Sequence, residues 1–301
     1  MSSTKSMETH ESWSSKPIKT NIMSLIIVII MFLTRESEAA RVFSIINDCK
    51  ETIWAAAIPG DSFDGGGFEL KAGQSRVFKA PVGWSGRIWG RTGCNFDKKT
   101  NNGSCTTGSC GTSLKCSAAG KPPATLAEFT LANPDFYDVS LVDGFNVPMA
   151  VKPINGNGGG NCSVAGCDQD VRDNCPKELS VKDGKTVIGC RSACDVFNTD
   201  EYCCRGRFGG PSVCHPTRYS KLFKQACPTS YSYAYDDPTS IFTCSATDYL
   251  ITFCSNRSKR SCTYHNNKLV CSGSMGVNSL LNDGWSPLIA LVFLVTLWTN
   301  I

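Results

Sequence analysis

"TLAEFTLANPDFYDVSLVDGFNVPM", residues 125–149, mixes apolar and aromatic residues at short period, the pattern of β-strands with one face in a core. Three acids, Glu128, Asp138 and Asp143, interrupt it. A carboxylate closed into a sheet costs on the order of several kcal/mol unless it is paired or hydrated. The acids therefore need a common outlet to water or to a cation. On one regular strand the spacing from Asp138 to Asp143 is odd, which puts them on opposite faces. They can share a site only if a turn or bulge intervenes, and Asp143-Gly144 is a turn pair that could supply it.

Outward from this stretch the first half of the chain keeps the same texture. "RVFSIIND", "TIWAAAI", "SRVFKAP" and "GRIWGRT" are short apolar runs separated by Gly, Pro, Asn and Asp. Regular short strands with such turns predict a mainly β protein, a sandwich or barrel. "INGNGGGN", residues 154–161, is a natural boundary. Beyond it cysteines crowd from Cys162 to Cys227, and two helix-like segments appear, "RSACDVFNTDEYCC" and "TRYSKLFKQAC". In the second, Tyr219, Leu222, Phe223 and Ala226 share one helical face, the mark of a core contact. "SIFTCSATDYLITFC" returns to strand.

The chain has 301 residues and 18 cysteines. An even, dense cysteine set in a secreted chain reads as a disulfide framework. Zinc is disfavoured, because no Cys-x-x-Cys occurs and only His215 and His265 lie beyond the N-terminal segment. The same scarcity of histidine argues against a Ser-His-Asp or Cys-His nucleophile. No metal and no cofactor is expected. From Ala40 to Cys254, 22 Lys and Arg stand against 21 Asp and Glu, whereas Ser255 to Cys271 carries Arg257, Lys259, Arg260 and Lys268 and no acid. The formal charge of +4 thus belongs mostly to the tail, and nothing points to nucleic acid. A monomer is expected.

Both ends read as processing signals. "IMSLIIVIIMFL", Ile22 to Leu33, is short of the ~20 residues a span needs and precedes the small residues Ser37 and Ala39. Residues 1–39 are read as a signal peptide, with a signal anchor as the competing reading. At the other end, Ser272, Gly273 and Ser274, a polar spacer and the apolar "SPLIALVFLVTLWTNI" have the order of a lipid-anchor (GPI) signal, attached at Ser272. A plain membrane span is the alternative. The domain plan is a folded region over 40–254, a basic linker over 255–274, and a removed anchor signal or membrane tail over 275–301. Sequons stand at Asn102, Asn161 and Asn256. Asn102, in a polar loop, is the preferred site, and Asn161, beside Cys162, the least favoured.

Several motifs together resemble the thaumatin-like proteins, a secreted plant defence family: "IWGRTGCNFD", "TLAEFTL", "DGFNVPM", "CDVFNTDEYCC", "YSKLFKQACP" and "DDPTS". The likeness runs from about Arg41 to Cys254. It departs at "NNGSCTTGSC", where Asn101 stands for a usual Gly and Ser109 for a usual Asp. The resemblance implies a β-sandwich, over about 41–153 and 228–254, beside a disulfide-rich lobe with short helices, about 154–227. It also implies the pairs Cys49–Cys254, Cys94–Cys105, Cys110–Cys116, Cys162–Cys244, Cys167–Cys227, Cys175–Cys190, Cys194–Cys203 and Cys204–Cys214. Cys262 and Cys271 lie outside the family core and pair most simply with each other.

By the same resemblance an acidic cleft separates sandwich and lobe. Its lining falls on Arg87, Glu128, Asp138, Asp143 and Asp236, which would give the acids their water and their cation. Such a cleft suits binding of a beta-1,3-glucan or a related fungal wall polysaccharide, in an antifungal protein of the apoplast or the outer face of the plasma membrane. The alternative is a weak endo-beta-1,3-glucanase, with Glu128 as general acid and Asp143 as its partner carboxylate.

Overall fold

The computed structural model describes residues 39–156, 159–167 and 169–255, and the backbone of 262–265 and 268–271. The leader reading, the sequon at Asn256, the attachment site Ser272 and the apolar tail all lie outside the described residues.

Strands appear where the short apolar runs predict them. In chain order they are β1 (Arg41–Asn47), β2 (Ile53–Ile58), β3 (Gly67–Leu70), β4 (Ser75–Ala80), β5 (Ser85–Arg91), β6 (Asn95–Phe96) and β7 (Gly103–Ser104). Then follow β8 (Leu126–Thr130), β9 (Asp135–Ser140), β10 (Met149–Ile154), β11 (Ala165–Gly166), β12 (Ser180–Asp183) and β13 (Thr186–Cys190). The last are β14 (Phe242–Cys244), β15 (Asp248–Phe253) and a hairpin of β16 (Cys262–His265) and β17 (Lys268–Cys271). One sheet has the order β11-β10-β15-β1-β4 and the other β14-β9-β8-β5-β2-β3.

The two sheets face each other over one aromatic core. Phe43 of β1 meets Phe129 of β8 at 5.0 Å between ring centroids and Tyr249 of β15 at 5.4 Å. Each strand sends alternate residues inward, as a pleated strand must. In β8, Ala127 and Phe129 are core, while Glu128 lies between them and faces out. The first and last strands of the domain, β1 and β15, are parallel neighbours in the middle of their sheet, and Cys49–Cys254 joins them just past their ends. A buried ion pair also spans the sheets. Arg41 Nε donates to Asp135 Oδ2 at 2.8 Å, and the Tyr249 hydroxyl donates to the same oxygen at 3.1 Å.

The outward face of the six-stranded sheet is covered at one end by the segment between β5 and β8. Trp89 packs there with Ala56, Cys116, Ala124 and Leu126. Arg91 is buried beneath it, and its guanidinium donates to the carbonyls of Trp54, Ala55 and Leu114. Asn101 takes φ +56°, a conformation Asn tolerates better than most residues, so the replacement of Gly there keeps the turn.

The other end is covered by the cysteine-rich lobe. It has four short helices nearby: α1 (Ala193–Phe197), α2 (Asp200–Cys203), α3 (Arg218–Ala226) and α4 (Asp237–Ser240). The segment "RSACDVFNTDEYCC" reads as one helix but forms two, because Asn198 turns left-handed at φ +51° and Thr199 starts α2 as its N-cap. Tyr219, Phe223 and Ala226 of α3 are buried in the lobe core with Leu141, Phe145 and Cys227. The disulfides Cys167–Cys227, Cys175–Cys190, Cys194–Cys203 and Cys204–Cys214 hold the lobe. Cys94–Cys105, Cys110–Cys116 and Cys162–Cys244 complete those among the described side chains. In the final hairpin the backbone register sets Cys262 opposite Cys271.

Candidate functional site

Between the two covers, the outward face of the six-stranded sheet stays open, and the acids stand there. Arg87 of β5 is directly opposite Glu128 of β8, and Glu128 is directly opposite Asp138 of β9. Opposed residues in an antiparallel pair have Cβ atoms ~5 Å apart, so the three side chains form one row across three strands. Arg87 Nη2 lies 3.3 Å from Glu128 Oε1, an ion pair with both side chains partly in water. Such pairs contribute at most about 1 kcal/mol, so this one orients more than it stabilises.

The parity problem of Asp143 is solved by the chain leaving the strand. β9 ends at Ser140, and Gly144 N–H donates back to the Leu141 carbonyl at 2.9 Å, closing a turn over Leu141–Gly144. Gly144 has φ +85°, and a Cβ there would sit 2.6 Å from the Cys190 carbonyl oxygen, so only glycine fits. The next residue, Phe145, exchanges two backbone hydrogen bonds of 2.7 Å with Cys190, which locks the turn to the lobe. Asp143 thereby joins Arg87, Glu128 and Asp138 around a cavity of about 310 Å³, with Tyr231 and Ala234 on its far wall.

The row also borders a second basin of about 490 Å³, lined by Arg87, Glu128 and Asp138 together with Thr130, Phe136 and Ile241. Phe136 and Ile241 are 42% and 40% exposed, unusually open for large apolar side chains, and they form an apolar shelf beside the charges. Phe136 is two residues before Asp138 and so shares its face, a relation that strand alternation makes available. Tyr231 carries no comparable sequence signal. It arrives through the contact of Leu141 N–H with the Tyr231 carbonyl at 2.8 Å.

All three acids hold their protons more tightly than free carboxyls do, because burial disfavours their charge. Glu128 is raised by burial, with Arg87 opposing and Asp143 adding to it. Asp143 is raised by burial, again against Arg87, with Asp195 adding. Asp138 is pushed up to about 8 by burial and then by Glu128. Among the described residues its buried Oδ1 has no hydrogen-bond partner.

Asp236 stands apart from the other four. It lines neither cavity and is bound to Lys224 Nζ at 3.0 Å and to the Ser232 amide and hydroxyl at 3.0 and 2.8 Å. Lys224 in turn donates to the Ser230 carbonyl and the Ser240 hydroxyl, so Asp236 ties α3 to the loop before α4. The neighbouring Asp237 is the one that reaches the cavity wall, accepting from the Tyr231 hydroxyl at 3.0 Å.

Residues 47–255 match the model of the thaumatin family. Pathogenesis-related protein 5 of Arabidopsis thaliana is 51% identical over 240 residues, covering 78% of this chain and 99% of that protein. Pathogenesis-related thaumatin-like protein 3.5 of Cryptomeria japonica is 53% identical over 219 residues, covering 71% of this chain and 90% of that protein. Among solved structures, a thaumatin-like xylanase inhibitor is similar with a TM-score of 0.39 and 27% identity, over 71% of this chain and 99% of that one.

Proposed function

This chain belongs to the thaumatin family, and on that premise we propose that its cleft binds a neutral, hydroxyl-rich polymer in plant defence. The polymer is a beta-1,3-glucan or a related fungal wall polysaccharide, and the outcome is antifungal. The observation that carries this reading is the row Arg87–Glu128–Asp138, with Asp143 beside it, along an open cleft. Carboxylates accept hydrogen bonds from sugar hydroxyls. Burial already disfavours the charge on these carboxyls, so a ligand that supplies donors to the charged ones relieves a cost already present. The apolar shelf of Phe136 and Ile241 offers contact to the C–H faces of sugar rings. With one Arg among several acids, the site disfavours an anionic polymer.

Hydrolysis is a second reading, favoured by one observation. Glu128, whose proton affinity burial raises while Arg87 opposes it, shares a cavity with Asp143, and two carboxyls on one cleft are the ingredients of glycoside cleavage. The test is retention on insoluble beta-1,3-glucan and release of reducing sugar, with the double variant Glu128→Gln, Asp143→Asn. These near-isosteric changes should leave the fold intact and weaken retention; unchanged retention would move the site elsewhere.

Disulfide density and relatedness to plant pathogenesis-related proteins fit a secreted protein. We further propose a lipid anchor at Ser272 that holds the protein on the outer face of the plasma membrane, with the basic linker against anionic surfaces. Phosphatidylinositol-specific phospholipase C should then release it, more completely at high salt. Resistance to the enzyme together with retention through carbonate extraction would replace the anchor with a membrane span.

A further inference from the structure

The charges around Asp138 are divided unequally. From β5, Arg87 reaches Glu128 at 3.3 Å. From β8, Glu128 faces Asp138 across the strand pair. From the loop after α3, the Tyr231 hydroxyl is committed to Asp237, which opens α4 and adds a further negative charge. Asp143 completes the ring from the turn after β9. Asp138 lines both basins, and among the described residues none donates a hydrogen bond to its buried Oδ1.

Two carboxyls opposed on adjacent strands repel when both are charged. The one that holds the cation keeps the charge, and the other keeps the proton. Burial acts in the same direction on Asp138, and only Arg87 acts against it.

We propose that Asp138 is the neutral carboxylic acid of the cleft and donates a hydrogen bond to a ligand oxygen, while Glu128, held by Arg87, is its carboxylate. For its ligand this rests on the polysaccharide reading; for its proton it does not. The assignment also narrows what is recognised. A sugar hydroxyl can donate or accept, but the ring and bridging ether oxygens of a polysaccharide only accept. A carboxylate cannot bind them, and a carboxylic acid can. Asp138 is therefore the group fitted to an ether oxygen, and Glu128 the group fitted to a hydroxyl. This departs from the sequence reading, in which Glu128 is the general acid and Asp143 its partner carboxylate.

The experiment has two arms. In the first, side-chain carboxyl carbons of the isotopically labelled protein are titrated by NMR without ligand. One aspartate carbon should have its midpoint above about pH 7, far from the ordinary range. Its signal should vanish in Asp138→Asn and its midpoint should fall in Glu128→Gln. If every aspartate carbon titrates below about pH 6, the assignment is overturned. In the second arm, retention on insoluble beta-1,3-glucan is followed from pH 6 to 9. Affinity should fall about two- to tenfold, the size of one hydrogen bond, as the proton is lost. Asp138→Asn, whose amide still donates, should bind with no such slope. An equal slope in both proteins overturns the donor role. If the unmodified protein binds at no pH, the polysaccharide reading and the donor role fall together, and the carbon titration still decides where the proton sits.

Discussion

Replacing Asp135 with Asn should cost this domain more stability than any change in the cleft. The carboxylate is fully buried at the start of β9 and accepts four hydrogen bonds. Two come from Arg41, at 2.8 and 3.2 Å, one from the Tyr249 hydroxyl at 3.1 Å, and one from the Ala132 amide at 2.9 Å. An Asn has a single oxygen for these donors, and its NH₂ group meets donors on the other side. The buried Arg41 guanidinium loses the carboxylate it is ion-paired with. Removing one member of a buried ion pair costs about 3–5 kcal/mol. At about 2–4 °C per kcal/mol for a domain of this size, Tm should fall by roughly 6–20 °C. Calorimetry on the disulfide-intact protein at neutral pH measures it. The double variant Arg41→Met, Asp135→Leu removes both charges and should lose less than Asp135→Asn alone. A fall of under about 1 kcal/mol for the single variant would show that the pair does not hold the sheets together, and a double variant that loses as much or more would show that the cost is not that of stranding the Arg41 charge.

Stability should also depend on Asp138. Its value rises from 3.8 to about 8 on folding, so the folded chain binds the extra proton between those limits. Its contribution is therefore fully favourable below pH 3.8 and declines as pH rises toward about 8, by at most about 1.4 kcal/mol per unit. Melting curves across that range should show a steeper decline in the unmodified protein than in Asp138→Asn, where only the other raised carboxyls remain; parallel curves would contradict it. For glycosylation, Asn102 is exposed, whereas the Asn161 side-chain oxygen accepts from the Thr243 amide at 3.2 Å. Peptide mapping of the secreted protein should find a glycan at Asn102, and one carried at Asn161 but not at Asn102 would reverse that order.

The strands of the sandwich were legible because alternation is a local property. Ala127, Glu128 and Phe129 disclose their faces without any partner. The turn at Asp143-Gly144 was legible as a necessity, since no regular strand brings Asp138 and Asp143 to one side. Asp236 was placed by motif alone, and motif position does not say which of two adjacent aspartates meets a lysine from another helix. Lys224 decides that, and nothing in "YDDP" announces it. The order of proton affinities was equally hidden. It depends on Arg87 reaching Glu128 and not Asp138, a choice between residues on three strands. The short strands β6 and β7 and the hairpin β12–β13 have too little apolar alternation to stand out from loop.

The parallel pairing of β1 with β15 bears on how the protein is made. Their linked cysteines, Cys49 and Cys254, are 205 residues apart. A ribosome adding about 5–20 residues per second leaves β1 waiting roughly 10–40 s for its neighbour. β15 lies between β10 and β1, so β1 throughout that interval, and β10 for its second half, carries a bare edge in what will become the middle of a sheet. Bare edges are templates for mispairing between nascent chains. The centre of that sheet can therefore be filled only after nearly everything else has emerged. A chain stopped short of Asp248 lacks the centre of that sheet and not its margin, which leaves quality control in the secretory pathway an unambiguous sign of an unfinished molecule.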